Sequence, residues 1–305
     1  MNTNDFKTRT EIIEEQSTCP EGYWVLGLDT GYSSVKGKSP NKRFAFPYYA
    51  KKVPEGRAFL REAEDSDIRY RDETGEWVVG KLAYDEVNAK EIVDSEQELT
   101  GRHRFFTDIF RVTTRTGIAL GLMPNKYGSC EDKHIMIEAG LPPKYINDAV
   151  DLREALCGKH DFEVKVGAGN WIKYSIELKE NDIQVMPQPL GSLVSASTNA
   201  NGRQLKTAIQ YWSGNVIVFD PGYGTLDTYI VKRGQVIGKG ETFPEYGMHE
   251  VFARTCRDIE KEFGLSIEVP ELQNCLESGE VKVIVSRRPL KTRKYSSYFN
   301  FIYKF

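Results

Sequence analysis

Apolar positions along the chain fall in short blocks separated by turns that carry glycine and proline, the pattern of strands interleaved with helices. WVLGLD, residues 24–29, predicts a buried strand that runs into the turn TGYSS and returns through VKGKS to a further strand, RFAFPYYA. Residues 76–80 predict another short strand, and KLAYDEVNAKEIV behind it places Leu82, Tyr84 and Val87 at helical spacing. Between residues 105 and 122, Phe105, Phe106, Ile109, Val112, Thr116 and Leu120 recur three and four positions apart, which predicts an amphipathic helix laid across a sheet. HIMIEAGLPP predicts a strand ended by Gly and Pro, and KYINDAVDLREALCG a helix closed by Gly158.

Strands resume in FEVKV, WIKYSIEL and IQVMP, with the turn GAGN after the first of them, and GSLVSASTNA after Pro189 predicts a short helix of small residues. Residues 215–220, NVIVFD, predict a second buried strand whose loop PGYGTLD leads to the strands LDTYIVKRG and QVIGKGETF. A helix from about Gly247 to Phe263 shows Met248, Val251, Phe252, Ile259 and Phe263 on one side. The two halves therefore share one plan: an apolar strand, an Asp at its end, a glycine-bearing hairpin and a returning strand. The fold class expected is α/β, with two domains and a hinge within residues 188–214.

Composition bounds the function. The 305 residues are 40% apolar and 28% charged, which suits a globular chain of about two domains. No apolar run approaches the ~18 residues that cross a bilayer, and the polar, acidic start has no apolar core of a secretory signal, so a cytoplasmic chain with no membrane partner is expected. Five cysteines lie at least 19 residues apart and four histidines are equally scattered, so reduced thiols and no transition-metal site are expected. The net charge of −3 conceals a basic end: residues 281–305 carry +7 and no acid, leaving −10 on the rest. Such a tail suits a polyanion, but no basic run interleaves with the four tryptophans, and direct DNA binding is disfavoured.

Three stretches carry chemistry. In DTGYSSVK, Asp29 ends a buried strand where a hydrated Mg²⁺ can sit, Gly31 lets the backbone turn sharply, and Ser33 and Ser34 offer donors to phosphate oxygens. Lys36 returns beside them as a point charge. Taken alone, this stretch is more simply read as a plain β-turn. In DPGYGTLD, Asp220 again ends an apolar strand, Gly222 and Gly224 expose backbone N–H groups, and Thr225 adds a hydroxyl. Two such loops facing each other are what a clamp on a triphosphate requires. In MPQPLGSL, the Gln188 amide falls between a strand and a helix where it can hold a water in line with a γ-phosphate, or be an ordinary neutral residue beside a proline turn.

Together these stretches resemble the actin, sugar kinase and Hsp70 ATPase superfamily, and within it most the bacterial actin-like proteins of the ParM/StbA plasmid-segregation group. IMIEAGLPPKY is similar to a core strand and loop of the first domain in that group. The resemblance covers residues 24 to about 280. It implies two ribonuclease H-like (actin-like) domains around a nucleotide cleft: an arm at 1–22, domain I at 23–187, a partial domain II at 188–280 and an atypical basic tail at 281–305. It further implies ATP and Mg²⁺ as cofactors, nucleotide contacts from Asp29, Gly31, Tyr32, Ser33, Ser34, Lys36, Asp220, Gly222, Tyr223, Gly224, Thr225 and Asp227, and catalytic roles for Gln188, Asp29 and Asp220. Asp29 and Asp220 would hold the Mg²⁺ through water.

By the same resemblance the partners are further copies of the chain, as a filament, and an adaptor protein bound to plasmid DNA. One departure stands out. The superfamily's later Gly-Gly strand, which contacts the adenosine, and the helix after it do not occur beyond Gly264. A chain truncated or frame-shifted near residue 282 accounts for that absence and for the charge shift. The function expected is an ATP-hydrolysing filament protein, with a degenerate non-hydrolysing relative or a small-molecule kinase as alternatives.

Overall fold

The computed structural model describes residues 8–57, 59, 61–87, 91–92, 101–199, 201–276, 280–281 and 293–294. Its organising element is strand β2 (Tyr23–Thr30), where Trp24, Leu26, Leu28 and Thr30 alternate inward along the pleat. β1 is Glu11–Glu14, so the polar arm contributes an edge strand; β3 is Ser34–Ser39, β4 Lys42–Pro47, β8 His134–Leu141 and β11 Ile183–Pro187. They form one six-stranded sheet in the order β1-β4-β3-β2-β8-β11. The β2–β3–β4 meander is antiparallel, whereas β2, β8 and β11 run parallel to one another.

The buried face of β2 meets the helix Asp108–Leu122, whose first turn is capped by Thr107, Oγ1 accepting from the Phe110 amide at 3.2 Å. Close approach depends on small residues that hydrophobic spacing cannot reveal. A Cβ on Gly121 would lie 2.5 Å from Leu26, and one on Gly117 2.9 Å from Leu28. The Trp24 indole donates to the Gly121 carbonyl at 3.0 Å. The helix begins later than the periodicity predicts. Arg102–Phe106 is a 3-10 turn, and Phe106 is 56% exposed rather than part of the apolar face.

A second sheet, antiparallel throughout, has the order β10-β9-β6-β7-β5, with β5 at Ala50–Lys52, β6 at Ile68–Asp72, β7 at Gly75–Val79, β9 at Gly158–Val166 and β10 at Ile172–Leu178. Its rings Tyr70, Phe162 and Tyr174 stack at 5.6 and 5.5 Å. The buried Asp72 carboxylate, bonded by Tyr70, Thr74, Arg111 and Arg115, ties this sheet to the Asp108–Leu122 helix. Two expected helices are shorter than their periodicity. Of KLAYDEVNAKEIV, Lys81–Asp85 is a helix, while residues 88–90 and 93 lie outside the described residues. KYIND sits in a 3-10 turn before the helix Ala149–Leu156.

β11 runs directly into the helix Gln188–Ser197, and Ala208–Ser213 forms a further short helix. The third sheet holds β12 (Asn215–Pro221), β13 (Leu226–Lys232), β14 (Gln235–Val236) and β15 (Glu241–Phe243), with β13 pairing all three of the others. On one face Val216, Val218, Tyr229 and Val231 pack with Leu190, Leu193, Tyr211 and Trp212. The opposite face corrects the expectation of a buried strand: Ile217 is 57%, Phe219 64% and Ile230 43% exposed, because no described element lies on that side. The helix Met248–Phe263, ended by Gly264 at φ +66°, and the helix Val269–Asn274 close on each other through Phe252, Cys256, Ile259 and Leu272.

Among the described residues all five cysteines are free thiols, only Cys256 fully buried, and no helix is long and apolar enough to cross a membrane. Apart from residues 281, 293 and 294, the basic tail lies outside the described residues.

Candidate functional site

The two hairpins have the same construction. β2 and β3 pair with Asp29 opposite Lys36 and Thr30 opposite Val35; β12 and β13 pair with Asp220 opposite Asp227 and Pro221 opposite Leu226. In each turn a glycine two residues after the Asp faces the carbonyl three residues further on. A Cβ on Gly31 would lie 3.1 Å from the Ser34 oxygen, and one on Gly222 3.0 Å from the Thr225 oxygen. A side chain at either position would press on that carbonyl and ask the turn to shift by a few tenths of an ångström.

The hairpins meet. Every residue singled out in them, together with Gln188, lines one cavity of about 690 Å³, a volume ordinary for a ligand site. The Tyr32 ring of the first loop lies against the backbone of the second, since a Cβ on Gly224 would stand 2.3 Å from the ring. The second loop is braced from behind by the start of the Met248–Phe263 helix: the Met248 amide donates to the Gly222 carbonyl at 3.1 Å and the His249 amide to the Tyr223 carbonyl at 2.8 Å. That contact requires Gly247, whose Cβ would fall 2.5 Å from the Gly224 carbonyl carbon. Tyr223 turns its ring toward the same helix, edge-on to His249 at 5.6 Å.

Gln188 is the first residue of its helix and donates from Nε2 to Asp29 Oδ1 at 3.0 Å. Gly140 on β8 makes the room, because a Cβ there would lie 2.8 Å from Gln188 Cγ. Strand end, amide and carboxylate are thus fixed relative to one another by backbone.

The electrostatics are those of a site short of a partner. Burial raises the Asp29 carboxyl above its ordinary 3.8, against the pull of Lys36 and Arg104, and Asp220 adds to the rise. Burial likewise raises Asp220, opposed by Lys36. Asp227, 2% exposed, is raised by burial against hydrogen bonds from Thr242 and Thr225; Thr225 Oγ1 donates to its Oδ2 at 3.0 Å, and its Oδ1 has no partner. Carboxylates crowded in a half-dry cleft fit a hard divalent cation. No three metal-ligating side chains converge among the described residues, so Asp29 and Asp220 are the carboxylates that would face a divalent cation, with water completing its shell.

The cavity lining also includes residues not singled out, among them Glu138, whose Oε2 is buried and unpaired and whose carboxyl burial raises, Gly140, and Arg104. Glu138 was visible inside IMIEAGLPPKY, but nothing local marks it, because its site lies across a parallel strand pair. Arg104 stands in a 3-10 turn 75 residues beyond Asp29, with no motif around it.

Residues 27–191 match the family described as Actin like proteins N terminal domain. No curated protein matches the chain. Among solved structures it is similar to a ParM, described as a pCBH ParM non-polymerisable quadruple mutant, at TM-score 0.69 and 19% identity over 92% of this chain and 80% of that one. A 15-stranded ParM filament from Clostridium botulinum gives 0.61 and 17%, over 92% and 80%. The actin-like protein Alp7A gives 0.58 and 15%, over 91% and 75%. These likenesses show the fold, a mixed α/β actin-like one with the cleft between two sheet systems. With more than half of its length matched, the chain belongs to the actin-like protein family.

Proposed function

We propose that the chain is an actin-like ATPase that binds Mg-ATP between its two hairpins and forms filaments that segregate plasmid DNA through an adaptor protein. The observation that carries this is the convergence of two hairpins of equal register on one cavity, with Gln188 tethered to Asp29 at its floor.

In this mechanism the backbone amides of both turns, with Ser33, Ser34 and Thr225, hold the phosphate oxygens, and Lys36 sits between the hairpins as the neutralising charge. When bound, Mg²⁺ offsets the charge on the phosphates and steadies Asp29 and Asp220 in their ionised form. Gln188 orients a water toward the terminal phosphorus. The water oxygen bonds to that phosphorus as its bond to the bridging oxygen breaks, giving ADP and phosphate. The side chains supply position and charge rather than covalent chemistry. Assembly follows from the family's architecture, and the similar ParM described as a filament supports it.

Titration of the full chain with Mg-ATP, followed by sedimentation and phosphate release, tests this reading. Nucleotide-dependent pelleting with phosphate release in the wild type, both lost in Asp220→Ala, is the expected result. Turnover unchanged in Asp220→Ala removes that residue from the mechanism. Nucleotide binding without phosphate release identifies a non-hydrolysing relative, and no binding at all ends the nucleotide reading.

A further inference from the structure

Arg104 is a buried charge at the cleft. It is 6% exposed, makes no ion pair among the described residues, and lines the cleft cavity. Nη2 donates to the Thr30 carbonyl at 2.7 Å, one residue past Asp29. Nη1 is buried with no acceptor. The guanidinium lies in a cage of rings, 4.6 Å from Tyr32, 5.7 Å from Tyr48, 5.4 Å from Phe105 and 5.9 Å from Phe110. The Tyr48 hydroxyl, pushed up to about 12 by burial against the charge and hydrogen bonding of this cation, is the polar group that faces it, short of full hydrogen-bond geometry for either atom.

A buried guanidinium with an idle donor is costly unless an anion completes it. Cation–π contacts with the rings repay part of that cost and fix the fork in place. Asp29 feels the charge but does not bond to it. The ring nearest the guanidinium, Tyr32, belongs to the first hairpin loop and also lies against Gly224 of the second. Of the four rings around the guanidinium, Tyr32 is the one that lines the cavity.

We propose that Arg104 binds a phosphate-type oxyanion at the inner end of the cleft through Nη1, with Tyr32 as the ring that gives way. The inference rests on the nucleotide reading above and names the group that separates a triphosphate from a diphosphate. The oxyanion is either the terminal phosphoryl group of the nucleotide or inorganic phosphate beside a bound diphosphate. A planar fork suits both, and a Lys does not replace it fully.

The test is calorimetric titration of the full chain with Mg-ATP, with Mg-ADP, and with inorganic phosphate on the ADP-saturated protein. Wild type is compared with Arg104→Met and Arg104→Lys, each checked by thermal melting. Arg104→Met is expected to weaken Mg-ATP at least about tenfold while leaving Mg-ADP within about twofold, with Arg104→Lys in between. Phosphate binding on the ADP complex that disappears in Arg104→Met assigns the contact to free phosphate; no such binding in the wild type assigns it to the nucleotide's own terminal group.

Equal losses for ATP and ADP, or no loss for either, overturn the proposal. If Arg104→Met does not fold, Arg104→Lys decides alone by the same ATP-against-ADP comparison. Wild-type protein that binds neither nucleotide defeats the nucleotide reading itself, and this inference with it.

Discussion

Set side by side, the two hairpins share a backbone and differ in charge and support. Across its strands the first pairs Asp29 with Lys36, and the second pairs Asp220 with Asp227. The first belongs to a six-stranded sheet whose inner face is sealed by the Asp108–Leu122 helix through Gly117 and Gly121. The second belongs to a small sheet with Ile217 and Phe219 exposed on one side, packed on the other against Leu190, Leu193, Tyr211 and Trp212, and braced at its loop by the start of the Met248–Phe263 helix. Turn geometry is thus repeated where the ligand would sit, while the scaffolding is not. Lys36 and Arg104 come from one side, and the raised carboxylates divide between the two, Asp29 and Glu138 on the first and Asp220 and Asp227 on the second, so neither half is a site without its counterpart.

The most damaging way to break the symmetry is at the brace of the second loop. Gly247→Ala places a methyl group against backbone that cannot yield, and overpacking of this kind costs about 1–3 kcal/mol. The expected result is loss of Mg-ATP binding by calorimetry with the main melting transition of the first domain retained. Collapse of both together would show that the halves fold as one unit.

The next comparison is between the carboxylates. Asp29→Asn and Asp220→Asn should each reduce phosphate release by about 10²-fold or more, as for removal of preorganised charge at a reacting centre. A large effect at one position and none at the other would mean that the hairpins are alike in shape only. Lys36→Met is expected to act more mildly, weakening Mg-ATP by about tenfold, because exposure to water screens a point charge. A fall of similar size in 0.5 M salt for the wild type, and little further fall for the variant, is the accompanying check.

The smallest effect is on stability without ligand. Burial raises the acids of Asp29, Asp220 and Asp227 above the ordinary 3.8, so the folded state holds those protons more tightly than the unfolded chain does. Each ionised group therefore costs stability above its folded value, and the cost disappears as the pH falls toward 3.8. Asp29→Asn keeps an oxygen for the Gln188 amide and removes a buried charge, so its melting temperature should exceed the wild type's by a few degrees at pH 7. The difference should shrink on acidification toward pH 4, and saturating Mg-ATP should reverse it. A variant less stable than the wild type at pH 7 would contradict the direction of the shift.

Much of this was legible in the sequence for a simple reason. A hairpin is a local object: alternation of Trp24, Leu26 and Leu28, an Asp at the strand end and a glycine two residues later specify it within a dozen positions. The second copy repeated the code, which placed Asp29, Asp220 and Gln188 at one cleft before any contact was known. The unbroken apolar run in NVIVFD failed as a guide to burial, because apolar residues on both faces of a strand do not say whether another element covers each face. The run around Lys144 failed because helical periodicity persists where the chain turns tightly in 3-10 form, whereas the run from Lys81 leaves its helix at Glu86.

Sequence by itself determined the strands, the paired loops and their candidate chemistry, since each depends on residues near one another along the chain. Only the tertiary structure decided that Tyr32 touches Gly224, that Gly140 and Gly247 are spaces for other residues, and that Arg104 and Glu138 carry unpaired polar atoms into the cleft. Those features arise where segments far apart in sequence come within a few ångströms. Burial and unsatisfied polar groups are properties of that enclosure, which no single stretch of residues contains.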